Sequence, residues 1–412
     1  MWDNFLALLG TNEFWQYASI PFVSAIVGWG TNVIALKMTF YPVRFWGVWK
    51  IGWQGIIPSR AGVMAAKAVD LLTKNLISIE ERFTQIEPER VAQEMEPVLQ
   101  RLSEQIVRDT MEEKAPMIWE AAPELIKTRI FQKVSHDLPE VVEELMLDVK
   151  TNITDLFDLK SMVVDKLEAN PELLNLIFTE SGKEEFKFIE RSGFYFGFIF
   201  GLFQMLVWVF FQEVWILPAA GLVVGWATNF LALKLIFEPL RPKKIGPWRF
   251  QGLFIKRQVE VAAAYAKVVA SQILTSENIF VRLLQGPAHD RLEKIVHLHV
   301  KKAVDASAGI SKPLFQLTQG TKRYLQIKQT VAQRFVEELP HSIHHLFGYA
   351  EEALDIENTL STRMQALPPE KFVGFLRPIF QEDEWKLILV GAVLGALAGL
   401  AQLIFIFGGL II

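Results

Sequence analysis

Two Thr-Asn pairs are the polar residues best placed to do chemistry in this sequence. Thr31 and Asn32 lie in one long apolar stretch, and Thr228 and Asn229 lie in another. An asparagine inside a membrane helix is costly unless its amide is hydrogen-bonded, so it should face protein or a wet cavity. The pairs therefore either line a path for a solute or hold helices together. We favour the second interpretation, because few other polar groups lie in these stretches.

Gln204 and Gln402 are two further polar residues within apolar stretches. At 1.5 Å per residue, Asn32 lies roughly 7 Å and Gln204 roughly 24 Å from the boundary marked by the nearby basic residues. In straight helices these two side chains cannot share one hydrogen-bonded site, which weakens the case for a continuous polar path.

Motifs for catalysis or metal binding are missing from the sequence. We find no P-loop, no nucleophile elbow, no HExxH and no dinucleotide fingerprint. The chain has no cysteine, which excludes disulfides and thiolate metal sites. His341 and His344 have a metal-compatible spacing, but the nearest carboxylate that follows is Glu351, so we interpret them as surface histidines. We therefore expect no catalytic residue, no metal, no cofactor and no enzymatic activity.

The composition points to a membrane. Of 412 residues, 51% are apolar, which excludes a disordered chain. The net charge of −4 does not fit a nucleic-acid partner. A mean hydropathy of +0.24 together with 21% charged residues indicates that some stretches enter lipid while others stay in water.

Four stretches are long and apolar enough to cross a bilayer, which takes about 20 residues. They are 15–37, 188–211, 214–237 and 387–412. Of the 12 tryptophans, 11 lie in or near these stretches, and only Trp119 is remote. Because indole prefers the headgroup layer, this distribution supports membrane insertion.

Basic residues predict the orientation. Lys and Arg cluster at the lobe-side ends of the four segments, whereas the opposite ends carry only Asp3, Glu13 and Glu213. By the positive-inside rule, the two large polar regions face the cytoplasm. The segments then span a bacterial inner or plasma membrane. Both termini and the Gln212–Glu213 turn face outward.

The chain is a tandem duplication. Residues 28–44 recur as 225–241, with ten of 17 positions identical, and Gln54-Gly55 recurs as Gln251-Gly252. A repeat this clear takes precedence in assigning the architecture. We assign repeat 1 to 15–211, with a lobe at 61–187, and repeat 2 to 214–412, with a lobe at 240–386. The predicted fold is an all-α membrane protein: four transmembrane helices with two duplicated helical cytoplasmic lobes.

Glycines recur at intervals of four in the last helix of each repeat. The two ladders are Gly193, Gly197 and Gly201, and Gly391, Gly395 and Gly399. Small residues at this spacing let two helix backbones approach closely in lipid. We therefore predict that both ladders are helix contacts, either within one chain or between chains.

The motifs resemble a known family. The pattern Gly-Trp-x-Thr-Asn-x-x-Ala-Leu-Lys-x-x-Phe-x-Pro, the following Gln54 to Arg60, and the Gly-x-x-x-Gly-x-x-x-Gly-Leu-x-Gln ending together resemble the YheB-like bacterial membrane proteins, a family of unknown function. The resemblance implies a location and a shape, and it implies no reaction. The second copy departs from the pattern at 253–256, where the proline is lost.

The sequence predicts that both lobes are helical. An apolar stripe lies on one helix face at Val91, Met95, Val98, Leu102 and Ile106, and six prolines divide or kink lobe one. The segment 45–57 is the exception and is either an interfacial loop or a short hairpin. Residues 61–190 carry 15 basic and 27 acidic residues, whereas 240–386 carry 21 and 15, so the lobes could dock on each other or on a neighbouring chain.

Two basic residues at or after the first segment of each repeat are candidates for contact with lipid headgroups. Lys37 and Lys234 end their helices and should reach lipid phosphates. Arg60 and Arg257 either hold anionic headgroups or form a salt bridge to the lobe. The expected partners are thus membrane lipid and further copies of the chain.

Two functional hypotheses follow from these patterns. The first is a membrane-anchored, oligomeric scaffold that uses its lobes for assembly or partner docking. The alternative is a transporter or conduit for lipid or another apolar molecule.

Overall fold

The computed structural model describes residues 12–49, 51–211, 213–309, 312, 316–317, 320–381 and 384–407. Gln212 of the predicted turn and the last five residues of the fourth predicted segment lie outside this range. The elements of the first copy are α1 (Asn12–Phe40), β1 (Trp46–Val48), β2 (Ile51–Trp53), α2 (Ile56–Ser59), α3 (Ala61–Asn75), α4 (Ile79–Thr84), α5 (Pro88–Lys114), α6 (Pro116–Ala121), α7 (Glu124–Thr151), α8 (Ile153–Leu156), α9 (Leu159–Ala169), α10 (Pro171–Ser181) and α11 (Lys183–Phe210).

The elements of the second copy follow the same order at first. They are α12 (Ile216–Phe237), β3 (Lys243–Ile245), β4 (Trp248–Phe250), α13 (Leu253–Lys256), α14 (Gln258–Gln272), α15 (Ser276–Gln285), α16 (His289–Ala308), α17 (Thr321–Ser342), a 3-10 turn (Ile343–Leu346), α18 (Phe347–Leu354), α19 (Ile356–Gln365), α20 (Pro369–Gln381) and α21 (Glu384–Phe405).

The prediction of an all-α membrane protein is confirmed. Four helices are long and apolar enough to span a bilayer, namely α1, α11, α12 and α21. Helix α11 begins at Lys183, five residues before the predicted segment, because the helix continues through a charged turn that a hydropathy criterion excludes. Strands are confined, in the described part of the chain, to two hairpins.

Each hairpin follows a membrane helix. In the first, Trp46 pairs with Trp53, and in the second Lys243 pairs with Phe250. The segment 45–57 is thus a hairpin, the second of the two alternatives offered for it. The second hairpin is not among the predictions, although the offset of 197 residues maps 46–53 directly onto 243–250.

The chain divides into two compact units. The first comprises residues up to 71, 164–268 and those from 360 onward, and it contains the four membrane helices. Its core includes Ile20, Trp208, Ile216, Leu217 and Leu403, which come from all four of these helices. In this unit α1 packs on α11, and α12 packs on α21.

The second unit comprises 72–163 and 269–359, so it takes helices from both copies. Its centre is a four-helix bundle in which α5, α7, α16 and α17 each contact the next, and α17 closes the ring on α5. The predicted stripe of α5 is buried at Val91, Met95, Leu102 and Ile106, and its fifth member, Val98, is half-buried.

Proline positions explain the helix lengths of lobe one. Pro88, Pro116 and Pro171 each occupy the first turn of a helix, where a missing N–H costs nothing. Pro97 and Pro139, by contrast, lie inside α5 and α7. The first three prolines thus divide the helices as predicted, whereas the other two are accommodated within a helix.

Candidate functional site

The four-helix bundle encloses an apolar cavity of about 350 Å³. Its lining comes from all four helices, and most of the lining residues are aliphatic. They include Ile106 and Val107 of α5, Ile130, Val134 and Val141 of α7, Val300, Ala303 and Val304 of α16, and Ile327 and Val331 of α17.

The sequence of α16 explains why the bundle is hollow. Toward the cavity this helix presents Ala303, Ser307 and Ala308, which are among its smallest side chains. Larger side chains such as Trp119 and Tyr324, which are both buried, also line the cavity. The small side chains of α16 leave part of the space between the helices unfilled, whereas protein interiors are normally close-packed.

The cavity reaches the surface where α6 meets α7. Ile126 lines the cavity and is nevertheless 42% exposed. Beside it in sequence, Leu125 is 63% exposed, and Met117 on α6 is 87% exposed. An apolar ligand therefore has an entrance that is itself apolar.

A polar pocket lies beside the cavity, and Trp119 lines both. The pocket has a volume of about 300 Å³. Its charged lining residues are Arg108, Glu112, Glu120, Glu124 and Lys127. An apolar chamber thus adjoins a charged one across a single indole ring.

The aromatic rings of the polar pocket carry cations on their faces. The Arg108 guanidinium lies 5.7 Å from the centroid of Phe131, and the Lys127 ammonium lies 5.4 Å from that of Trp119. Lys127 also donates to Glu124 at 2.9 Å. These contacts hold both cations near the shared wall of the two chambers.

A buried histidine forms part of the cavity wall. His299 is 3% exposed, its Nε2 lies 2.7 Å from Asp148 Oδ2, and its Nδ1 lies 3.4 Å from Glu144 Oε2. Asp137, another lining residue, accepts from Lys133 at 2.7 Å through one oxygen. Its other oxygen is buried without a hydrogen-bond partner among the described residues. The wall is thus apolar with a few fixed polar positions, as ligand pockets generally are.

A charge cluster anchors α17 to α16 at the edge of the cavity. Asp305 accepts from Lys312 at 2.9 Å, from Tyr324 at 2.8 Å and from Lys328 at 2.5 Å. Burial raises the pKa of the Asp305 carboxyl, but the hydrogen bonds from Lys328, Lys312 and Tyr324 outweigh it and hold this pKa at about 2. Burial and the Asp305 carboxylate raise the pKa of Tyr324.

The predicted glycine ladders lie at helix contacts within the first unit. A Cβ added to Gly197 would lie 3.0 Å from the Ala25 Cα atom and closer still to the Ser24 carbonyl oxygen. A Cβ at Gly395 would overlap the Gly221 carbonyl oxygen in the same way. The neighbouring rungs make the same kind of contact, with Gly193 on Gly28, Gly201 on Pro21, Gly391 on Gly225, and Gly399 on Leu217.

The two Thr-Asn pairs are buried in these same contacts. Asn32 donates from Nδ2 to the Ile189 carbonyl at 2.6 Å, and Asn229 donates to the Leu387 carbonyl at 2.8 Å. Thr31 and Thr228 bond the carbonyls three residues earlier in their own helices, Gly28 and Gly225. The asparagines therefore join α1 to α11 and α12 to α21, as the structural interpretation requires.

Gln204 and Gln402 differ between the copies. Gln204 accepts from Ser24 Oγ at 3.0 Å. The residue equivalent to Ser24 is Gly221, where an added Cβ would overlap Gly395, so the second helix pair has no room for the serine. The Gln402 amide nitrogen is buried without a partner among the described residues.

The basic residues after the first helix of each repeat lie in different settings. Lys37 and Lys234 are exposed, and Lys234 lies over the Phe230 ring at 5.5 Å. Arg257 needs no lipid headgroup as a partner, because its guanidinium donates to Glu185 at 2.9 Å and that carboxylate is 1% exposed. This geometry favours the salt-bridge alternative for Arg257. Arg60 is half-buried.

Sequence reasoning missed the cavity and the polar pocket entirely. Periodicity marked the apolar face of α5, but it could not show that the facing side chains leave a gap. Trp119 was the one available signal, since it was the only tryptophan far from the membrane segments. The described residues contain no group of three or more histidines and carboxylates that could hold a metal ion.

Part of the chain is similar to bacterial UPF0754 membrane proteins. It is 31% identical over 122 residues to a UPF0754 membrane protein of Exiguobacterium sibiricum, across 29% of this chain and 32% of the relative. It is 29% identical over 150 residues to a UPF0754 protein of Alkalihalophilus pseudofirmus, across 30% of this chain and 40% of the relative. A UPF0754 membrane protein of Bacillus cereus strain Q1 is 29% identical over 142 residues, across 30% and 38%.

The similarity supports a bacterial membrane protein and goes no further. The chain covers only 32% to 40% of the length of these relatives. Their names do not confirm the YheB-like assignment. No protein-family model and no solved structure matches the chain.

Proposed function

We propose that this protein is a membrane-anchored lipid-binding protein that takes one aliphatic chain into the cavity of its four-helix bundle. The observation that carries the proposal is the cavity itself, with its volume of about 350 Å³ and its aliphatic walls. At about 30 Å³ per methylene, which is also the share of liquid volume of one water molecule, the cavity accommodates about a dozen methylenes.

Energetics favour an occupied cavity. Most of the lining is aliphatic, and a ligand that covers these walls removes their surface from water at a gain of about 25 cal/mol per Å². A water molecule needs two to four polar partners, which aliphatic side chains do not provide. An apolar ligand has no such requirement.

The anchor supplies the ligand. Four apolar helices hold the chain in a bilayer, which is a reservoir of aliphatic chains. The exposed side chain of Ile126 at the cavity mouth, with exposed Leu125 beside it in sequence, offers an apolar surface over which a chain can enter. The distribution of Lys and Arg supports a cytoplasmic location for the bundle in this proposal. It thereby develops the lipid-conduit hypothesis, with the bundle as the binding site.

A photoreactive fatty acid with a diazirine on its chain tests the proposal in membranes containing the full-length protein. Cross-linked peptides should map to the cavity walls on α5, α7, α16 and α17. Ala303→Phe, which places a ring in the cavity, should abolish that cross-linking. Ala306→Phe on the exposed face of the same helix is the matched control and should leave it unchanged. Cross-links confined to the membrane helices would refute the proposal.

The oligomeric scaffold is the second candidate, and charge is the observation behind it. Within the bundle, helices of the acidic and basic lobes are joined by Arg334 to Glu113 at 2.6 Å and by His299 to Asp148 at 2.7 Å. The opposite charges therefore meet inside one chain, so they provide less drive for assembly between chains. Sedimentation of the purified protein at low and high salt distinguishes the two: a salt-sensitive large assembly supports the scaffold, and a salt-independent size argues against it.

A further inference from the structure

We propose that the polar pocket beside the cavity recognises the headgroup of a zwitterionic phospholipid that carries a primary amine, of the phosphoethanolamine type. The inference rests on the proposed function, because it assigns the head of the molecule whose chain occupies the cavity. Three observations carry it: the shared wall at Trp119, the mixed charge of the pocket, and the occupation of its aromatic faces.

The shared wall sets the geometry. Trp119 is 5% exposed and lines both chambers, while Ile126 opens the cavity at the same corner of the bundle. A chain that enters at this corner leaves its polar end at the mouth, where the polar pocket begins. Indole suits such a boundary, because its ring is apolar and its N–H is a hydrogen-bond donor.

The mixed charge of the pocket selects the headgroup class. Arg108 and Lys127 can bind a phosphate, and the exposed carboxylates of Glu112 and Glu120 can accept from an ammonium. The fifth charged group, Glu124, is already engaged by Lys127. A purely anionic headgroup would satisfy the cations but would face two carboxylates that have no ion-pair partner among the described residues. A neutral sugar would leave both sets of charges unmatched.

The aromatic faces discriminate between amines. A quaternary ammonium is recognised by open aromatic faces, but here Arg108 and Lys127 already lie over Phe131 and Trp119. A primary ammonium instead donates up to three hydrogen bonds, which carboxylates accept directly. The pocket therefore fits ethanolamine better than choline.

Competition binding on the full-length protein in detergent tests the inference. An uncharged fluorescent alkyl probe occupies the cavity and is displaced by lysolipids of equal chain length with ethanolamine, choline or glycerol headgroups. The ethanolamine lysolipid should displace the probe at about tenfold lower concentration than the glycerol lysolipid. Glu112→Gln combined with Glu120→Gln should reduce this preference to within about twofold. Glu104→Gln changes an exposed residue of α5 that does not line the pocket, and it should preserve the preference for ethanolamine.

The outcomes separate the two proposals. Equal displacement by all three lysolipids, or a preference for the glycerol headgroup, overturns the headgroup assignment while probe binding still supports a chain in the cavity. A preference that survives the double substitution shows that the two carboxylates do not read the amine, which also overturns the assignment. Failure of the uncharged probe to bind at all overturns the proposed function, and the headgroup inference falls with it.

Discussion

Filling the cavity with a side chain should stabilise the lipid-free protein. Ala303 lines the cavity on α16, and Ala303→Leu adds three carbon groups, or about 90 Å³ at about 30 Å³ each. Burying three carbon groups at about 0.8 kcal/mol each gives about 2 kcal/mol. For a unit of this size, the gain corresponds to a rise in Tm of about 4 to 8 °C.

Bound lipid should reduce the difference in stability between Ala303→Leu and the wild-type protein. A ligand at one hundred times its Kd stabilises the wild-type protein by about 2.7 kcal/mol. In Ala303→Leu the added side chain competes with the ligand for the same volume, so the stabilisation by lipid should shrink. The assay is thermal unfolding in detergent, measured before and after exhaustive delipidation and again after a fatty acid is restored.

Ala306→Leu is the control, because Ala306 lies on the exposed side of the same helix. It should change stability by no more than about 0.5 kcal/mol in either state. If Ala303→Leu instead lowers Tm in the delipidated protein, the added carbons are overpacking a filled core and the cavity is not available space. That result would refute the reasoning from volume.

Contacts elsewhere in the chain give three more predictions. Gly197→Ile should destabilise the protein in detergent by about 1 to 3 kcal/mol, because the added side chain overpacks against α1. Gly30→Ala is the control and should not destabilise it, because a Cβ added at Gly30 meets nothing within 4 Å. Equal melting curves for wild type and Gly197→Ile would count against the contact. Asp305, with its pKa lowered from 3.8 to about 2, contributes stability above pH 4 that is lost as the pH falls toward 2. Because this group is partly exposed, the contribution should be no more than about 1 kcal/mol, and Asp305→Asn should flatten this part of the pH–stability curve; an unchanged curve would contradict the assignment. In the cysteine-free chain, Glu213→Cys should react with an impermeant maleimide in intact cells and Arg101→Cys only after permeabilisation, and the reverse pattern would invert the proposed topology.

The sequence predicted the membrane part of this fold well, for a physical reason. In lipid the backbone must satisfy its own hydrogen bonds, so a long apolar run has little choice but to form a helix. The Gly193 and Gly391 ladders could be placed at contacts because a glycine every four residues marks one helix face. The start of α11 at Lys183 could not be placed, because a helix can continue beyond the bilayer through charged turns.

Such sequence patterns could not predict the candidate site. Apolar spacing shows which face of α5 or α17 is buried, but it does not show whether the residues opposite fill the space between. The cavity wall combines Ala303, Ser307 and Ala308 with side chains from helices far away in sequence. In the sequence of α16 alone, the small residues are indistinguishable from residues chosen for helix formation.

The walls of the cavity come from both halves of the duplicated gene product, with α5 and α7 from the first and α16 and α17 from the second. Neither half alone surrounds the hollow. A single-copy ancestor would have needed two molecules side by side to make it, and fusion into one polypeptide freed the two halves to diverge. The two halves now contribute different residues to the site. The first half supplies Trp119 and the charged groups of the polar pocket, and the second half supplies the small side chains of the cavity wall.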